Sequence, residues 1–108
     1  MNKIEITKIG CREFDQLELV NAIRRSAKVM SWGAHAWTKY KKLALRFKVE
    51  GNHHKGHVYI ALNFMDTFDI YFTTTRGTIQ KKIEGIYIDQ LIDVIDKVVE
   101  YVPEYENR

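Results

Sequence analysis

Between residues 43 and 72 apolar and polar side chains alternate in two long runs, a pattern that folds by burying one side of a sheet. Leu43, Leu45, Phe47 and Val49 alternate with Ala44, Arg46, Lys48 and Glu50, the period of two that sends successive side chains to opposite faces. Val58, Ile60, Leu62 and Phe64 repeat the pattern against His57, Tyr59, Ala61 and Asn63, and Phe68, Ile70 and Phe72 extend it beyond Met65-Asp66-Thr67. Three antiparallel strands are predicted. Gly51-Asn52 and Gly56 provide turn chemistry between the first two. After a threonine run, Arg76-Gly77 marks a tight turn, and Ile79 and Ile83 place a fourth strand beside the third. Gly85 ends this four-stranded meander.

The period changes on either side of the sheet. Phe14, Leu17, Val20, Ile23, Ala27 and Met30 recur every three or four residues, one apolar stripe along a helix. Glu13, Asp15 and Glu18 near its start and Arg24, Arg25 and Lys28 near its end suit the helix dipole. Gly33 can take the left-handed conformation that closes such a helix. Between 34 and 42, Trp37 and Tyr40 break the alternation, so that the strand begins there with a bulge or is preceded by a loop. Residues 89–102 read as a second helix, with Ile88, Leu91, Ile92, Ile95, Val98, Val99 and Val102 on one side, Asp89, Asp93, Asp96 and Glu100 on the other, and Pro103 as its stop. Over residues 3–9, Ile4 and Ile6 alternate with Glu5 and Thr7, a short N-terminal edge strand.

Each helix must bury its one apolar side, and the simplest partner is the apolar face of the sheet. The expected architecture is a two-layer α+β sandwich of order (β)-α-β-β-β-β-α, with both helices on one face. At 108 residues it forms one domain around one core. A single cysteine, Cys11, excludes an internal disulfide, no apolar run approaches the roughly 20 residues that span a bilayer, and no signal-peptide pattern opens the chain. A cytoplasmic protein without membrane contact is expected.

Charge is distributed unevenly. Residues 20–60 hold nine Lys or Arg against Glu50 alone, whereas residues 84–108 hold seven acids against Lys97 and Arg108. Such a dipolar surface can attract a polyanion to one end or let copies of the chain meet head to tail.

With the helices on one face, the other is expected to stay open, carrying Arg46, Lys48, His57, Tyr59, Asn63, Asp69, Tyr71, Thr73, Gln80 and Lys82. Tyrosines among cations on an open sheet suit single-stranded nucleic acid, because bases stack on aromatic rings while Lys and Arg neutralise phosphates. The predicted nucleic-acid-binding residues are Arg46, Lys48, Tyr59, Tyr71 and Lys82, with Lys39, Lys41 and Lys42 adding attraction and merging with Arg24, Arg25 and Lys28 if the fold brings them together. The plainer reading is a solvated face of good strand formers. The alternative function is a protein-interaction module, a homodimer or an inhibitor of a host protein, using this face or the acidic stripe of the second helix.

His53, His54 and His57 near Glu50 are metal-ligand types, yet nothing makes them converge, and a polar loop tip explains them. Cys11 reads as a small buried residue, and Asp66 as the cap of its own turn. No catalytic residue, cofactor, metal or small-molecule substrate is predicted; the protein is expected to bind and not to catalyse.

The succession Gly33-Ala34, Trp37, Leu45, Phe47, Val58-Tyr59-Ile60-Ala61-Leu62, Asp66-Thr67-Phe68-Asp69 and Gly85-Ile86-Tyr87-Ile88-Asp89-Gln90-Leu91 resembles small uncharacterised proteins encoded by bacteriophages and conjugative elements of bacteria. It covers residues 31–91, departs in the 51–55 loop, and carries over no activity. What the resemblance implies is a mobile-DNA context, which favours nucleic acid as the partner.

Overall fold

The alternating runs form the middle of a five-stranded sheet. The computed structural model describes residues 3–4, 13–25, 32–40, 43–51 and 54–99. In chain order it has helix α1 (Gln16–Arg24), strands β1 (His35–Tyr40), β2 (Ala44–Glu50), β3 (Lys55–Leu62), β4 (Phe68–Thr73) and β5 (Ile79–Ile86), a 3-10 turn (Ile88–Gln90) and helix α2 (Leu91–Val99). Spatial order equals chain order and every pair is antiparallel. The fold is α+β, as expected, with one strand more than predicted.

The added strand is β1. Its pairing slips between His35 and Thr38, and Ala36 there has a φ of 57°. This bulge takes Trp37 to the helix side of the sheet, where its ring stacks on Phe47 at 4.5 Å, and so destroys the period of two. Of the expected N-terminal strand, Lys3 bridges Thr78 and the Ile4 N–H donates to the Gly77 carbonyl at 2.8 Å; residues 5–9 lie outside the described residues.

Both helices cover the same face. Leu19, Val20 and Ile23 of α1 and Leu91, Ile95 and Val99 of α2 share one core with Leu45, Phe47, Val49, Val58, Ile60, Phe68, Ile70 and Phe72. Asp15 caps α1, accepting from the Glu18 N–H at 3.1 Å. The buried stripe is Gln16, Leu19, Val20 and Ile23, so Leu17, expected inside, is exposed. A helix beginning at Gln16 with inward contacts at every third or fourth residue turns Leu17 about 100° away. Gln16 anchors this end by donating to the Ala44 carbonyl at 2.6 Å.

Trp32 closes the core. It is 0% exposed, stacks on Phe47, and donates its indole N–H to the Asp96 carboxylate at 2.9 Å. Asp96, expected on the solvated stripe of α2, is therefore a core anchor; a buried indole N–H needs such an acceptor. Gly51 passes so close under the end of α2 that a Cβ there would collide with Val99.

Candidate interaction surfaces

The face opposite the helices is not open at its centre. Ala44, Tyr59, Ala61 and Tyr71 form a second buried cluster, against which Ile4, Tyr40 and Ile79 pack. Tyr59 is 5% exposed and Tyr71 6%, so neither ring can receive a base, and the expected stacking platform is corrected. Alternation sends Tyr59 and Tyr71 to this face, and Ile4 and Tyr40, from other segments, help to cover it. Burial pushes the Tyr71 hydroxyl above its ordinary range, with Lys82 opposing it. The Lys82 ammonium lies 5.2 Å from the Tyr71 ring centre and 3.3 Å from the Glu84 carboxylate.

The predicted cations separate. Arg46 and Lys48 point to the tyrosine side, whereas Lys39, opposite Leu45, is on the helix side. There it borders a depression with Glu13 and Asp15 at the start of α1, away from Arg24 and Arg25 at its other end. The merged basic patch does not form among the described residues. Lys28, Lys41 and Lys42 lie outside them.

His54 and His57 are not polar loop-tip residues. His54 is buried edge-on against Phe72 at 5.6 Å, with Nε2 3.4 Å from the His57 carbonyl oxygen, and His57 packs edge-on against Tyr59 at 6.3 Å. Burial lowers the pKa of both; for His57, Arg46, Lys48 and His54 lower it further. Among the described residues no group of three His, Cys, Asp or Glu could hold a metal ion, and no helix is long and apolar enough to cross a membrane. His53 and Cys11 lie outside the described residues.

Four of the five large exposed apolar residues among the described residues lie at one end of the sheet; the fifth is Leu17 on α1. Phe64 and Met65, in the β3–β4 turn, are 75% and 81% exposed; Tyr87 and Ile88, after β5, are 61% and 59% exposed. Phe68 pairs with Ile86, bringing the two segments together. A cleft of about 680 Å³ lies between them, lined by Leu62, Asp66, Phe68, Tyr87, Ile88, Asp89 and Gln90.

Hydrogen bonds hold both segments. The Asn63 side-chain oxygen accepts from the Met65 N–H at 2.8 Å and the Thr67 N–H at 3.2 Å, and its amide donates to Asp69 at 3.0 Å. The same Asp69 oxygen accepts from the Gly85 N–H at 3.2 Å, in a β5 bulge where Gly85 has a φ of 71°. Tyr87 and Gln90 are held by Tyr87 N–H to Gln90 Oε1 at 3.2 Å and Gln90 N–H to the Tyr87 carbonyl at 2.9 Å.

Sequence reasoning missed this end. Phe64 was expected inside because it continues the β3 alternation, and Ile88 because it fits the apolar side of α2. The signal was present in Asn63, whose side chain is the turn-forming type and ends the strand one residue before Phe64. Comparison of the chain with protein-family models, with curated proteins and with solved structures returns no match.

Proposed function

We propose that this protein acts by binding another protein, not by catalysis, and that the end formed by Phe64, Met65, Tyr87 and Ile88 is its contact surface. One observation carries the reading: four large apolar side chains, each more than half exposed, lie at one end of the sheet on two segments that are hydrogen-bonded through Asp69. Isolated exposed apolar residues are ordinary, whereas grouped ones beside a cleft are characteristic of interfaces. Tyr, Phe and Met are enriched in such contacts, and a pre-held surface loses less conformational entropy on binding.

Asp66 and Asp89 line the same cleft and favour a partner whose apolar residues are flanked by Lys or Arg. Two copies meeting tip to tip would bring these acids together, which weighs against that dimer. The resemblance to proteins of phages and conjugative elements directs the search to a bacterial host lysate. Immobilised protein is expected to retain a discrete partner that a Phe64→Ser, Met65→Ser, Tyr87→Ser variant of unchanged thermal midpoint does not retain. Light scattering tests self-association. A monomer that retains nothing, or a variant that retains the same partner, overturns the reading.

A further inference from the structure

A second surface lies on the tyrosine side of the sheet, beyond the buried rings. Register places His35 opposite Lys48 and Lys48 opposite His57, with Arg46 two residues along the same strand. His35 is exposed, and Arg46, Lys48 and His57 are half-buried. Lys48 thus lies between two imidazoles, and the charges of Arg46 and Lys48 disfavour a proton on the His57 ring. Among the described residues no carboxylate is bonded to Arg46 or Lys48; Glu50, farther along the same face, is opposite Lys55. The Arg46 guanidinium lies 5.5 Å from the Tyr40 ring centre, with Nη2 3.4 Å from the Thr38 hydroxyl. Its Nε and the His57 Nδ1 are buried without a hydrogen-bond partner among the described residues. A row of two permanent cations and two protonatable rings with no bonded carboxylate among the described residues is offset by one kind of ligand, an oxyanion.

From this juxtaposition we infer that His35, Arg46, Lys48 and His57 form a binding site for the phosphate backbone of a nucleic acid, independent of the apolar end. Strands about 4.8 Å apart spread the cations over a length that several phosphates of one polymer can follow, whereas a lone phosphate neutralises only part of the row. Tyr59 and Tyr71 are too buried to stack with bases, so recognition is of the backbone and indifferent to sequence. Arg46 and Lys48 supply permanent charge. His57, facing Arg46, Lys48 and His54, with Thr73 opposite it on β4 and Glu50 and Lys55 farther along, takes up a proton when phosphate offsets those cations.

The test is fluorescence anisotropy with labelled oligo(dT) at 50 mM salt, at pH 7.5 and pH 5.5. Binding is expected to be at least fivefold tighter at the lower pH, with log K falling against log salt with a slope of about −2 for three contacts. Lys48→Glu should weaken binding at least tenfold. Lys81→Glu, the same charge change at an exposed position opposite Phe72 on β5, should weaken it less than twofold. His57→Gln should bind as the native chain does at pH 7.5 and gain less than it does at pH 5.5. Circular dichroism checks that each variant is folded, and Lys48→Gln replaces Lys48→Glu should the latter not fold. Absence of binding at pH 5.5, equal weakening by the Lys48 and Lys81 changes, or a pH gain undiminished in His57→Gln overturns the inference.

Discussion

Asn63 and Asp69 are joined by a 3.0 Å hydrogen bond across the mouth of the β3–β4 turn. Through the same carboxylate oxygen, the turn that presents Phe64 and Met65 is tied to the Gly85 bulge that leads to Tyr87. Asp69→Ala leaves the Asn63 amide and the Gly85 N–H without this acceptor. Loss of a charged acceptor from a part-buried site costs about 1–3 kcal/mol, to be read as a lower urea midpoint. Partner retention is expected to fall further than stability, because the display geometry is lost.

Tyr59→Ala separates a buried ring from an exposed one. For a ring packed with Ala44, Ala61 and Tyr71, truncation is expected to cost about 3–5 kcal/mol in chemical denaturation, whereas a solvated tyrosine would change stability by less than about 0.5 kcal/mol.

Two glycines predict different mechanisms. Gly51→Ala places a methyl group into Val99 and should destabilise by about 1–3 kcal/mol through overpacking. Gly85→Ala meets no atom within 4 Å but must hold a φ of 71°, a backbone cost of about 1–2 kcal/mol. Only the first is expected to loosen α2, visible as faster amide exchange in that helix.

His54 and His57 make stability depend on pH. Both are held below the ordinary histidine value of 6.5 in the folded chain, so between that value and their folded values the unfolded chain binds more protons. Stability therefore falls as pH drops through 6.5 and stops falling, for these groups, below their folded values. The urea midpoint is expected to be lower at pH 5.5 than at pH 7.5, and His54→Phe should flatten the dependence.

Trp32 and Asp96 lie 64 residues apart in the chain and bond through the indole N–H. Asp96→Ala should cost about 1.5–3 kcal/mol and alter the emission of Trp32, whereas Asp89→Ala, at an exposed position, should do neither.

Strands β2 to β4 were legible because Leu45, Phe47, Val58, Ile60, Ile70 and Phe72 alternate with polar residues, and the core uses those six side chains. β1 was not, because its bulge at Ala36 breaks the period between His35 and Trp37. The helices were legible as amphipathic; the position of α1's stripe was off by one residue at Leu17 because Gln16, a polar residue, takes an inward place. The surfaces were the least legible. Alternation assigns Tyr59 and Tyr71 to a face correctly but says nothing of Ile4 and Tyr40, which come from other segments to cover it. It also continues through Phe64, whose exposure is decided by the side-chain bonds of Asn63.

Because spatial order follows chain order, each strand of this sheet finds its partner in the segment made just before it. A chain leaving the ribosome can zip hairpin upon hairpin at low loop-closure cost. Helix α2 follows the entire sheet, so Phe47 and Trp32 await their last neighbour until synthesis has passed Val99. During that interval α1 alone shelters the greasy side of the sheet.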